Sequence, residues 1–147
     1  MSRTAYKRLQ EVACRVAKTL PVPAFYDRHA SAVRFADDHL VTSELLHQCR
    51  TYLDESQLEC AHGLYHCESV ARDAGALILI EAPGRGIAAS DAAGLFLAAE
   101  LAGLLHDIKR KEKDHALLGS IEAERILKDL GMEKNYRKYI ADAIRNH

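Results

Sequence analysis

Residues 90–107 read SDAAGLFLAAELAGLLHD, and this stretch decides the fold. Apolar residues dominate 92–105 on nearly every side of a helical wheel: Leu95, Phe96, Leu97, Leu101, Leu104 and Leu105 stand among alanines. A helix that is apolar all round must be covered all round, so this is the expected central helix of a packed domain, with Ser90 as its expected cap. It ends on His106-Asp107, an imidazole and a carboxylate that would meet a costly desolvation without partners.

Outward from this helix the pattern stays helical. A helix over 64–81 is expected to turn Val70, Ala74, Leu77 and Ile78 inward, before a surface loop at 82–86 that holds Pro83, Gly84 and Gly86. Beyond the charged turn 109–114 another helix reaches Leu130, where Gly131 can close it in a left-handed conformation, and a last one runs from 134 toward His147. Upstream, Thr42 or Ser43 can cap a helix to about Leu53, with Glu44 in its first turn and Leu45, Leu46, Cys49 and Leu53 as its buried stripe. Residues 25–40 show no clean period, although 30–38 could make a short helix. Leu9, Val12, Ala13, Val16 and Leu20 recur at helical spacing over 4–20, and Pro21 and Pro23 stop that helix.

No alternating strand pattern and no internal repeat occurs, so the expected class is all-α: a single bundle of six to seven helices. A chain of 147 residues suits one domain, here 41–147, with 1–40 as a helix and irregular extension packed on it.

Composition narrows the function classes. The chain is 48% hydrophobic and 28% charged, the balance of a soluble globular protein, and charges interrupt every stretch of 1–20 that could serve as a signal peptide or membrane span. The expected address is the cytoplasm. Twenty basic and 21 acidic residues leave a net charge of −1, so no basic field exists to hold a long nucleic acid. Cys14, Cys49, Cys60 and Cys67 form no C-x-x-C pair and read as reduced thiols.

Chemistry concentrates in the histidines. His106 and Asp107 together offer the nitrogen and oxygen donors that suit a divalent transition metal, and Asp107 could bridge two ions; the plainer reading is a salt bridge at a helix end. His66, four residues before Val70, falls on the expected inner face of its helix, as a ligand or a hydrogen-bonded core residue. His62 shares that face, but Gly63 stands where a zinc protease needs its glutamate. His115 and His147 lie at the edges of apolar stripes and are either ligands of a second ion or surface histidines. His29, His39 and His47 read as solvated or structural. Lys109 and Arg110 could hold a phosphate as it gathers charge, or simply form a solvated turn. Gly84-Arg-Gly86 lacks the surroundings of a phosphate-binding loop.

In these motifs the chain resembles the HD-domain metal-dependent phosphohydrolases over about 45–147. The matching stretches are His66-Cys-Glu-Ser-Val70, Leu101-Ala-Gly-Leu-Leu-His-Asp-Ile108, His115-Ala-Leu-Leu-Gly119 and Ala143-Ile-Arg-Asn-His147. The two later histidines are similar to those of two-metal branches, including bacterial hydrolases of dinucleoside tetraphosphates. The resemblance implies metal ligands His66, His106, Asp107, His115 and His147, and a catalytic set of Asp107, Lys109 and Arg110. One or two divalent ions follow, iron or manganese before magnesium, nickel or zinc. The implied reaction is hydrolysis of a phosphate ester or anhydride of a small substrate, a nucleotide, by a metal-activated water. The family's closing aspartate lies on a helix beyond the position of His147, and Asp142 is a poor substitute, so the expectation is either a domain truncated at its C-terminus or a site that recruits other ligands such as water. A noncatalytic helical module that binds metal or nucleotide and acts through a partner is the competing reading, and a homodimer is left open.

Overall fold

The computed structural model describes Ala5, Arg8, Leu9, Val12, Ala13, Arg15 and Val16, then residues 19–53 and 63–147. From residue 19 onward these form seven α-helices: α1 (Ala24–Arg28), α2 (Ala30–Thr42), α3 (Glu44–Arg50), α4 (Leu64–Glu81), α5 (Ala89–Leu105), α6 (His115–Asp129) and α7 (Lys134–Arg145). A 3-10 turn, Pro83–Arg85, joins α4 to α5. No strand occurs among the described residues, so the protein is an all-α bundle. None of its described helices is long and apolar enough to cross a membrane.

The apolar helix α5 is central, as its composition demands. It packs along α4 and α7 and touches α3, and it buries Leu101, Leu104 and Leu105 completely. These meet Leu46 and Cys49 of α3, Ile126 and Leu127 of α6 and Ile140 and Ile144 of α7 in one core. Burying a leucine or isoleucine side chain is worth roughly 1.5–3 kcal/mol, so this set supplies most of the drive to assemble the bundle.

Helices α4 and α5 run antiparallel, and small residues set their register. A Cβ on Gly103 would stand 2.6 Å from the backbone N and Cα of Ala71, and one on Gly75 would stand 2.8 Å from Cγ of Glu100. Only glycine permits that approach. This overturns part of the expected inner face of α4: the buried residues are Cys67, Ala71, Gly75 and Ala76, about one position round the helix from Val70, Ala74 and Ile78, which are only half-buried, while Leu77 is exposed. A close helix crossing selects small side chains, and the larger aliphatics lie on its flanks.

Several ends also differ from the sequence reading. α2 is longer than expected and runs to Thr42, and α3 stops at Arg50 rather than Leu53. Ser43 occupies the position before α3 without a side-chain cap bond, and α5 begins at Ala89, which puts Ser90 inside its first turn. Gly131 does adopt the left-handed conformation, φ 79°, between α6 and α7. The described residues from Ala5 to Val16 that belong to the expected first helix are helical, and the chain turns at Thr19, whose N–H and hydroxyl both donate to the Val16 carbonyl. Leu9, Val12, Val16 and Leu20 are nevertheless exposed.

Candidate metal centre

The α4–α5 register carries His66 to His106. The paired positions 75 with 100 and 71 with 103 extrapolate along the antiparallel helices to the start of α4 and the end of α5. There His66 Nε2 lies 3.3 Å from His106 Nε2. Adjacent donors on one cation, each with a bond of 2.0–2.1 Å, stand roughly 3–3.4 Å apart, so the two nitrogens already have ligand spacing.

Local hydrogen bonds aim these rings. His106 Nδ1 is 2.8 Å from the Gly103 carbonyl, which can only accept, so Nδ1 carries the proton and Nε2 presents its lone pair. His147 repeats the device three residues after Ile144: its Nδ1 donates to the Ile144 carbonyl at 2.5 Å. In each case a helix-terminal carbonyl, which lacks an intrahelical partner, fixes the imidazole.

Asp107 joins the parts. Its carboxylate is 1% exposed, with Oδ2 3.3 Å from His106 Nε2 and Oδ1 3.7 Å from His147 Nε2. Two donor groups result, His66 with His106 and Asp107, and Asp107 with His115 and His147, each gathered within 4.8 Å. Asp107 belongs to both. Imidazole nitrogen and carboxylate oxygen fit a divalent cation by donor chemistry, and such a cation would relieve the desolvation of a carboxylate otherwise deep in the protein.

Arg110 supplies positive charge at the same place. Its Nη1 lies 3.6 Å from Asp107 Oδ1 and donates to His115 Nε2 at 3.0 Å. The imidazole that accepts this bond is neutral. Burial, the Arg110 charge and the His147 imidazole lower its pKa below the ordinary histidine value, against the opposing pull of Asp107. Lys109 is half-buried and close enough to Glu122 to lower that acid's pKa.

All five expected ligands therefore meet, from the start of α4, the end of α5, the start of α6 and the end of α7. His62, like Cys14 and Cys60, lies outside the described residues. His47 is exposed and His29 packs its ring against Phe25. Cys67, next to His66, is buried, and burial with the nearby Asp107 charge pushes its thiol up to about 11. Buried Cys49 is pushed up to about 12, so both are neutral, free thiols at physiological pH.

The sequence reading missed one residue. Glu100, in the middle of α5, is fully buried and lies against His39 Nδ1 at 2.5 Å. The signal was present: the one acid within the apolar run 92–105, six residues before His106. No family model, curated protein or solved structure matches this chain.

Proposed function

We propose that the protein is a metal-dependent phosphohydrolase that cleaves a phosphate ester or anhydride of a nucleotide, with Asp107 shared between two divalent cations. The observation that carries this reading is the convergence of His66, His106, His115 and His147 on one carboxylate that is almost wholly buried.

A bound divalent cation supplies Lewis acidity toward an attacking water and toward a phosphoryl oxygen. The chain does the rest by position. The Gly103 and Ile144 carbonyls hold two imidazoles in the tautomer that can ligate. Arg110, beside Asp107, places a guanidinium where a phosphoryl group would gather negative charge, and its planar fork suits two oxygens of that group. Lys109, two residues after Asp107, would add a second positive charge to the phosphate-binding side. Among the described residues no thiolate competes as nucleophile, since Cys49 and Cys67 hold their protons. The mixed nitrogen and oxygen donors do not select sharply among iron, manganese, magnesium, nickel and zinc, and the resemblance to two-metal phosphohydrolases puts iron or manganese first.

Elemental analysis of the purified protein, followed by phosphatase assays across nucleotides and metals, tests the proposal. Turnover that His106→Ala and Asp107→Ala abolish is the expected result. Bound metal without turnover of any phosphorylated substrate makes the chain a metal-binding module instead, and a protein that takes up no divalent ion removes both readings.

A further inference from the structure

A second site lies at the other end of α5. A cavity of about 600 Å³ opens between α2, the end of α4, the 3-10 turn and the first half of α5. Phe35, Leu79, Ala93, Phe96 and Leu97 help to line it, and among the described residues His39 is its one polar side chain. Its volume falls in the range of small-molecule sites, which are mostly apolar with a few placed polar groups.

His39 is held as a polar anchor is held. Its Nδ1 faces Glu100 Oε2 at 2.5 Å, its ring packs against Phe96 with centroids 5.0 Å apart, and Phe96 in turn packs against Phe35 at 5.5 Å. Glu100 is 0% exposed, and its Oε1 has no hydrogen-bond partner among the described residues. An acid placed inside the core of an apolar helix is costly, and the fold makes room for it with Gly75, where a Cβ would stand 2.8 Å from Glu100 Cγ. Burial pushes the Glu100 carboxyl up to about 8, against the lowering effect of Arg50, and burial also lowers the His39 pKa. Burial therefore favours the neutral form of both groups, and in that form the proton arrangement is fixed. The Glu100 carboxyl donates to Nδ1, and Nε2 keeps its hydrogen as the remaining donor of a ring that lines the cavity.

We infer that this cavity is a binding site for a neutral aromatic small molecule bearing one hydrogen-bond acceptor, which His39 engages through Nε2 while Phe35 and Phe96 cover its ring. Among the described residues no charged side chain lines the cavity, so these residues offer no counter-ion to an anion, a phosphorylated compound included. The site is separate from the candidate metal centre: the five α5 residues Leu101 to Leu105 lie between Glu100 and the His106-Asp107 pair, a rise of roughly 9–10 Å.

The test uses the full chain and 6-propionyl-2-dimethylaminonaphthalene, a neutral fluorophore whose carbonyl reports hydrogen bonding through its emission. Saturable binding of one probe per chain is expected. Ala93→Trp, which fills the cavity, should weaken it about tenfold or more, a loss of about 1.4 kcal/mol per tenfold. His39→Phe keeps an aromatic ring without the donor; it should weaken binding about three- to tenfold and shift the bound probe's emission to the blue. Circular dichroism checks that each variant folds, and Ala89→Trp, at the exposed first residue of α5, replaces Ala93→Trp if that chain loses helicity. The inference is overturned if binding does not saturate, if neither tryptophan variant weakens it, or if His39→Phe leaves affinity and emission unchanged. It is equally overturned if the free chain is a dimer that Ala93→Trp dissociates, since a second copy then fills the cavity.

Discussion

The backbone of Ala71 in α4 lies where a side chain on Gly103 of α5 would have to stand, 2.6 Å from the position of its Cβ. This contact holds the two helices at the separation that brings His66 Nε2 within 3.3 Å of His106 Nε2. Gly103→Ala should therefore act on stability and on the metal centre together. The clash is with main chain, which cannot rotate away, so the cost should sit toward the upper end of the roughly 1–3 kcal/mol typical of overpacking. Urea denaturation would measure it, and metal titration of the folded variant should show weaker binding at the half that contains His66.

Asp107 belongs to both donor groups, whereas each of the four histidines belongs to one. Asp107→Ala should abolish uptake of both ions. His115→Ala and His147→Ala should each lower the stoichiometry toward one, and His66→Ala should do the same from the other side. Titration calorimetry with manganese distinguishes these outcomes. Equal losses in all four variants would mean that the two half-sites are not separable.

Metal uptake should weaken in acid, because imidazoles ligate only when neutral. The pKa of His115 is lowered from its ordinary 6.5 by burial first and by the Arg110 charge second. That ligand therefore remains neutral to a lower pH than a free histidine. Replacing Arg110 with methionine should raise the His115 pKa, and NMR titration of the ring protons would show the midpoint move upward.

Stability should depend on Glu100 with an unusual sign. Burial raises its carboxyl from 4.5 to about 8, so between those values the folded chain holds one more proton than the unfolded chain. Its contribution is complete below pH 4.5 and is lost as pH rises toward 8, by up to about 1.4 kcal/mol per pH unit. His39, whose pKa burial lowers, opposes this near its ordinary value of 6.5. Glu100→Gln, which keeps a hydrogen-bond donor toward Nδ1, should flatten the decline. Denaturation midpoints of both proteins from pH 5 to 8 provide the measurement, and parallel curves would refute the assignment.

Cys67 should be inert. Its thiol is buried and pushed up to about 11, so alkylation at pH 8 should proceed only when the chain unfolds. Cys67→Ala should leave turnover within about twofold while costing roughly 1 kcal/mol of stability through the small void it opens. Loss of turnover without loss of metal would instead give the thiol a chemical role.

Much of this architecture was written in local pattern. The continuous apolar run of 92–105 demanded a covered central helix, and the structure covers it on several sides. Gly131 marked a helix end because only a residue without a side chain enters the left-handed region at no cost, and it does so at φ 79°. The five residues of the candidate metal centre could be singled out as residue types at helix ends, which is a one-dimensional property. Their meeting was not legible in this way, because it depends on the relative placement of four chain segments. The inner face of α4 was misread for a related reason: periodicity follows large aliphatics, while the crossing at Ala71 and Gly103 is governed by the absence of side chains. Glu100 shows the same boundary. Its charge within an apolar helix was visible in the chain, but its partner His39 is 61 residues away, and the cavity beside them exists only because α2, α4 and α5 pack together. Helix identity follows from neighbours a few residues apart, whereas a buried acid, a shared carboxylate and a cavity follow from tertiary packing, which brings distant side chains into an environment with little water.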